Sequence, residues 1–94
     1  NNIAIAAKII GEYYLKQKNY AKAISYFNKA TTKMNSYSTA FMLKGVAYYY
    51  SGKYIESKFN FEYSLKLNPK DASAKEFLKE INKLNVNMTS DLAR

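Results

Sequence analysis

GEYYLKQKNYAKAISYFNKATTKMNSYSTAFMLKG, the stretch from Gly11 to Gly45, decides the fold, because the pattern around its first glycine returns around its last. Gly11, Tyr14, Tyr20, Ala23, Phe27 and Ala30 are answered thirty-four residues on by Gly45, Tyr48, Tyr54, Ser57, Phe61 and Ser64. The pairs are not all identical, yet small stands against small and ring against ring. Self-similarity at a fixed period in this range is the signature of a solenoid built from one supersecondary unit.

Outward from that stretch, the apolar residues between Ile3 and about Gln17 recur three or four apart, with Ile3, Ala7, Ile10, Gly11 and Tyr14 along one stripe of a helix. Lys18 and Asn19 make a short polar break. A second helix is expected from about Tyr20 to Lys33, with Ala23, Ile24, Phe27, Ala30 and Thr31 as its inner stripe. So short a connection makes the two helices antiparallel neighbours. Met34 to Ser36 form the next connector, and Ser36 or Ser38 is the expected cap of the helix that follows.

The second unit repeats the scheme. Phe41, Gly45 and Tyr48 form the stripe of its first helix, and Ser51, Gly52 and Lys53 the turn. Tyr54, Ser57, Lys58, Phe61, Ser64 and Leu65 form the inner side of its second helix. Asn68 and Pro69 end it, since proline disfavours helical conformation in the residue before it and has no N–H to continue the ladder. Asp71 is placed to cap a last amphipathic helix reaching about Asn85. Ala74, Phe77, Leu78, Ile81 and Leu84 lie on its inner side and Lys75, Glu76, Lys79, Glu80 and Lys83 on the others. Residues 86–94 show no period and are expected to form a frayed tail.

Composition agrees with this reading. A chain of 94 residues is one domain that buries about two-thirds of its unfolded surface. With no tryptophan, ten tyrosines supply the bulk. Three glycines and one proline are too few for the many turns of a β-sandwich, so the class is all-α. The absence of cysteine excludes a disulfide framework and thiolate chemistry and leaves the redox compartment open. The sequence begins on asparagine and carries no signal peptide, so it reads as a segment of a longer polypeptide. No apolar run approaches the ~20 residues that cross a bilayer, and no membrane insertion is expected.

The two units resemble tetratricopeptide repeats, helix-turn-helix motifs of thirty-four residues used as protein-binding scaffolds. Phe41, Gly45, Tyr48, Gly52, Tyr54, Phe61 and Pro69 carry the resemblance in the second unit, and Gly11, Tyr14, Tyr20, Ala23, Phe27 and Ala30 in the first. The departures are Ala7, where the family often has a ring, Ser57 and Ser64 in place of alanines, and Asn35 in place of the closing proline of the first unit. The resemblance implies two antiparallel units, about 4–37 and 38–71, in a right-handed solenoid closed by a capping helix, about 71–85. Physically, Gly11 and Gly45 let the first helix of each pair approach the second, Ala23, Ala30, Ser57 and Ser64 receive it, and Phe27 and Phe61 fill the space between. Leucine at Gly45 would overpack that contact at a cost of about 1–3 kcal/mol. After Asp71 the pattern changes, with Lys79 where a third unit would want a small residue and Asn82 where it would want a ring. A polar outer face is how a solenoid ends.

The resemblance also implies that the first helix of each pair lines a concave groove. Its residues are Ile5, Lys8, Glu12, Leu15 and Lys16 in unit one and Thr39, Met42, Val46, Tyr49 and Tyr50 in unit two. Leu15, Met42, Val46 and Tyr49 are apolar where solvent favours polar groups, which points to docking of a peptide or helix, with Lys8 and Lys16 facing acidic side chains of the partner. On this reading Tyr49→Ala weakens binding and barely moves the melting temperature. The alternative is that Met42 and Val46 pack against the capping helix. Some family members clamp a peptide's terminal carboxylate with lysine, asparagine and arginine. Lys8 matches one of these, but Glu12 and Leu43 stand where asparagines are wanted, and Glu12 repels a carboxylate.

Ile9 and Tyr13, flanked by Ala6, form a third apolar side of the first helix that neither core nor groove uses. It belongs to an upstream element, to a second copy of the chain, or to ordinary scattered surface hydrophobes. The net charge of +8, from fourteen lysines and one arginine against seven acids, favours acidic partners. Nucleic acid is a weaker alternative, because the lysines form no stripe and base reading leans on arginine. The net charge itself and Tyr49 and Tyr50 near Lys16 are the features in its favour. With neither histidine nor cysteine, no glycine-rich phosphate loop and no metal-ligand spacing, the sequence offers no catalytic residue, metal site or cofactor site. Glu76 and Glu80 alternate with Lys79 and Lys83 and read as surface ion pairs.

Overall fold

Asn1 starts the first helix by accepting the backbone N–H groups of Ile3 and Ala4 on its Oδ1, at 3.0 and 3.2 Å. Its Nδ2 donates to the Lys33 carbonyl at 3.2 Å, tying the beginning of that helix to the end of the next. The computed structural model describes residues 1–92, and the side-chain surroundings of residues 1–84. Five helices and no strand make up the described residues: α1 (Asn2–Lys16), α2 (Tyr20–Lys33), α3 (Ser38–Tyr50), α4 (Tyr54–Leu67) and α5 (Ala72–Leu92). The pairs α1–α2 and α3–α4 are helical hairpins, and α5 packs on the second.

Each hairpin turns through one residue in the left-handed region. In the second it is Gly52, at φ 81°, where no Cβ is present to clash; in the first, thirty-four residues earlier, it is Lys18, at φ 61°. Asn19 then caps α2 by accepting the Lys22 N–H at 3.3 Å. Asn68 follows the last turn of α4, and Asp71 caps α5 by accepting the Ala74 N–H at 3.2 Å, both as the sequence indicates. The expected serine cap of α3 is absent: Tyr37 holds the cap position with no side-chain hydrogen bond, and Ser38 is already helical. Packing of the Tyr37 ring against Ala7, Ala30 and Ala40 fixes the chain there. The last helix also outruns its expected end near residue 85. It extends to Leu92, through most of the span read as a frayed tail, while residues 93 and 94 lie outside the described residues.

The glycine and phenylalanine pattern has a direct physical cause. A Cβ on Gly11 would stand 2.5 Å from Cε1 of Phe27, and one on Gly45 would stand 2.9 Å from Cδ1 of Phe61. Each ring therefore lies flat against bare backbone, fully buried, where its removal from water contributes about 2–3 kcal/mol. The serines that replace alanines in the second unit are also fully buried, and both are satisfied. Ser57 Oγ donates to the Gly45 carbonyl at 2.8 Å and Ser64 Oγ to the Ser38 carbonyl at 3.1 Å. Asn60, 3% exposed, donates to the Glu56 carbonyl at 2.8 Å, while its Oδ1 has no partner among the described residues.

Close approach also decides which side of α1 is inside. The buried residues are Ala4, Ala7 and Gly11, whereas Ile3 and Ile10, expected in the stripe, are 52% and 39% exposed. Only small side chains fit where α1 meets α2, so the isoleucines fall to the side. Between hairpins the contacts again use small residues. Ala40 packs with Ala7 and Ala30, and Ala47 with Ala23 and Phe27. At the other end Ala74 and Ile81 of α5 close over Phe61.

Candidate functional site

Where the C-terminal ends of α1 and α3 come side by side, a cavity of about 470 Å³ opens, lined by Leu15, Lys16, Lys18, Tyr20, Val46 and Tyr50. Leu15 and Val46 are half-buried, each with its inner side on a core cluster, and form the apolar floor. The rings of Tyr20 and Tyr50 stack at 6.3 Å and 21°, with Tyr50 57% exposed. Lys16 and Lys18 stand exposed at the rim, and neither belongs to an ion pair among the described residues. The left-handed turn at Lys18 and the cap at Asn19 bring Lys18 and Tyr20 to this mouth.

Of the groove residues read from the sequence, the structure gathers Leu15, Lys16, Val46 and Tyr50 into one cavity. Lys18 and Tyr20 are additions: they belong to the interhelical turn and the start of α2, outside the first-helix pattern. Lys8 and Glu12 are half-buried and satisfy each other, Nζ to Oε1 at 2.8 Å. That hydrogen bond raises the Lys8 pKa above its ordinary value although burial works against it. Ile5 is 43% exposed nearer the other end of α1, away from the cavity, and Thr39 is exposed near the start of α3. Met42 and Tyr49, read as exposed anchors, instead pack with Val46 against the cluster of Phe61, Ala74 and Ile81, on the side that α5 covers. The Tyr49 ring meets Phe77 edge-on at 5.1 Å and Tyr54 at 5.5 Å, and burial pushes its phenol pKa up, with Tyr54, Glu80 and Tyr50 adding to the shift.

Tyr50 has a second neighbour. It also lines a smaller cavity of about 260 Å³ with Tyr49, Glu76, Phe77 and Glu80. Tyr50 is thus shared by a cavity with lysines in its lining and one with glutamates. Among the described residues no cluster of three acids is placed to hold a metal ion, and no helix is long and apolar enough to cross a membrane.

Comparison with known proteins adds to this geometry. The family model described as tetratricopeptide repeat matches residues 9–32 and 38–71. Among solved structures, the second tetratricopeptide domain of the human RPAP3 protein, in complex with the HSP70 peptide SGPTIEEVD, is similar at 33% identity and a TM-score of 0.81, over 84% of this chain and 66% of that one. The first such domain of Spaghetti (RPAP3), bound to the HSP90 peptide SRMEEVD, is similar at 26% identity and a TM-score of 0.86, over 89% of this chain and 68% of that one. The chain spans about two-thirds of the length of either structure. A search of curated protein sequences finds no match.

Proposed function

Because this chain belongs to the tetratricopeptide-repeat family and is therefore a protein-interaction scaffold, we propose that it holds an extended acidic segment of a partner protein in the cavity lined by Tyr20 and Tyr50. The observation that carries this reading is the cavity itself, whose lining brings the apolar Leu15 and Val46 and the stacked rings of Tyr20 and Tyr50 together with Lys16 and Lys18. An apolar side chain of the segment fills the floor, a peptide plane or ring lies on Tyr50, and carboxylates meet the lysines. Rim charges of this kind add about 0.2–1 kcal/mol each and chiefly set the rate of encounter, which the net charge of +8 favours for acidic partners. The two similar domains, each seen with a peptide ending in Glu-Glu-Val-Asp, support an acidic ligand.

The mode of grip differs from a terminal-carboxylate clamp on α1. The Lys8 ammonium is already paired with Glu12, whose own charge repels a second carboxylate. Recognition rests instead on acidic side chains near Lys16 and Lys18. The role is non-catalytic, in keeping with a chain that has neither histidine nor cysteine.

Fluorescence anisotropy with labelled SGPTIEEVD, its C-terminal amide and a version with lysine for both glutamates tests the reading. The amide is expected to bind within about twofold of the acid, and the lysine version at least tenfold more weakly. Tyr50→Ala is expected to cost about 1–2 kcal/mol of binding. Equal binding of the charge-reversed peptide, indifference to Tyr50→Ala, or tighter binding of a short single-stranded oligonucleotide would overturn it.

A further inference from the structure

The side of α1 that carries Ile9 and Tyr13 has two counterparts in the same molecule, and both are docked. Thirty-four residues beyond Ala6, Ile9 and Tyr13 stand Ala40, Leu43 and Ala47, and thirty-four beyond those stand Ala74, Phe77 and Ile81. Ala40 and Ala47 are fully buried against the α1–α2 hairpin, with Leu43 beside them. Ala74 and Ile81 are fully buried against the α3–α4 hairpin, with Phe77 beside them. In α1 the same register is apolar and open: Ala6 is exposed, Ile9 is 56% exposed and Tyr13 is 59% exposed. Ile3, which occupies the register of Tyr37, is 52% exposed, and a notch of about 170 Å³ beside it, between Ile3, Ala6, Ile10 and Tyr26, is large enough to take a side chain.

We infer that this side of α1 is a docking surface for one further helical hairpin of the same repeat type, seated on α1 as the α1–α2 hairpin is seated on α3. The receiving side of a hairpin in this molecule has a definite composition. It offers small residues where the incoming alanines cross, Ala7 and Ala30 in one contact and Ala23 in the other, with a phenylalanine between the small residues of its second helix. The occupant of the α1 surface is a hairpin with that side free. A second copy of this chain has none to give. The receiving side of its first hairpin is filled by α3 and that of its second by α5, whose outer sides carry Lys75, Glu76, Lys79, Glu80 and Lys83, all exposed.

The test joins a duplicate of residues 4–37 in register before residue 4 of the full chain and compares melting midpoints with and without Ile9→Glu or Tyr13→Lys. In the parent chain each substitution is expected to move the midpoint by less than about 4 °C, as at an exposed site. The added hairpin is expected to raise the midpoint by about 5 °C or more, and either substitution, numbered as in the parent chain, to remove that gain. No gain, or a gain that survives both substitutions, would overturn the inference. So would a dimer of the parent chain in sedimentation equilibrium that Ile9→Glu dissolves, since that result gives the surface to a second copy.

Discussion

At Gly11 a single methyl group separates contact from collision. Alanine in a helix interior normally gains about 1 kcal/mol over glycine, but here its Cβ would meet the Phe27 ring at 2.5 Å. Gly11→Ala is expected to destabilise by about 1–3 kcal/mol in urea or thermal unfolding. Gly45→Ala should cost less, because the corresponding distance is 2.9 Å. Phe27→Leu in the Gly11→Ala background should recover part of the loss, a coupling that a double-mutant cycle measures. Lys18 presents the opposite case, a side chain where the other turn has glycine. Lys18→Gly should stabilise by about 0.5–1 kcal/mol by relieving the left-handed strain, and should weaken acidic-peptide binding by removing a rim charge. Lys44 lies half-buried in the register that Ile10 holds in α1, its ammonium 5.9 Å from the centre of the Phe41 ring and its pKa lowered by burial. Lys44→Ile is therefore expected to raise the melting temperature.

The fate of α3 shows what a single helix can and cannot declare. The last two of its three consecutive tyrosines part company: Tyr49 turns under α5 and Tyr50 turns to the cavity. Tyr49→Ala should cost about 1–3 kcal/mol of stability through its lost edge contacts, and Tyr50→Ala should spare stability and weaken binding; calorimetry paired with anisotropy separates them. That reverses the expectation drawn from sequence for Tyr49. The hairpins themselves were legible because the period repeats size as well as hydrophobicity, and the span of α2 coincides with its reading at Tyr20 and Lys33. Leu15, Lys16, Val46 and Tyr50, which line the cavity, could be read from the sequence as lying off the core side of their helices, because helical spacing fixes a side. Lys18 and Tyr20 were not, since the mouth of the cavity is built by a turn whose left-handed residue no periodicity marks. Ile3 and Ile10 misled for a related reason. A helix with several apolar sides does not announce which one a neighbour approaches closely, and the close side takes Ala4, Ala7 and Gly11 rather than the largest hydrophobes.

Every large contact in the molecule joins helices that are neighbours in sequence. Stability is then a sum of hairpins and joints, and the end joint matters most for solubility. Truncation after Lys70 removes α5 and uncovers Met42, Val46, Tyr49, Phe61 and Leu65, so the shortened chain should bind a hydrophobic dye strongly and self-associate where the full chain does not. The two hairpins are also held in different ways. In α1–α2 the crossing partners are alanines, and a hydrogen bond from Asn1 ties only the open end. In α3–α4, Ser57 and Ser64 reach from one helix to named carbonyls of the other. Close fit alone holds the first pair, Gly11 against Phe27, whereas directed hydroxyls also latch the second. The cavity lies where the two hairpins meet, so a guest seated there touches one wall kept in place by fit and another kept by fit and hydroxyls together.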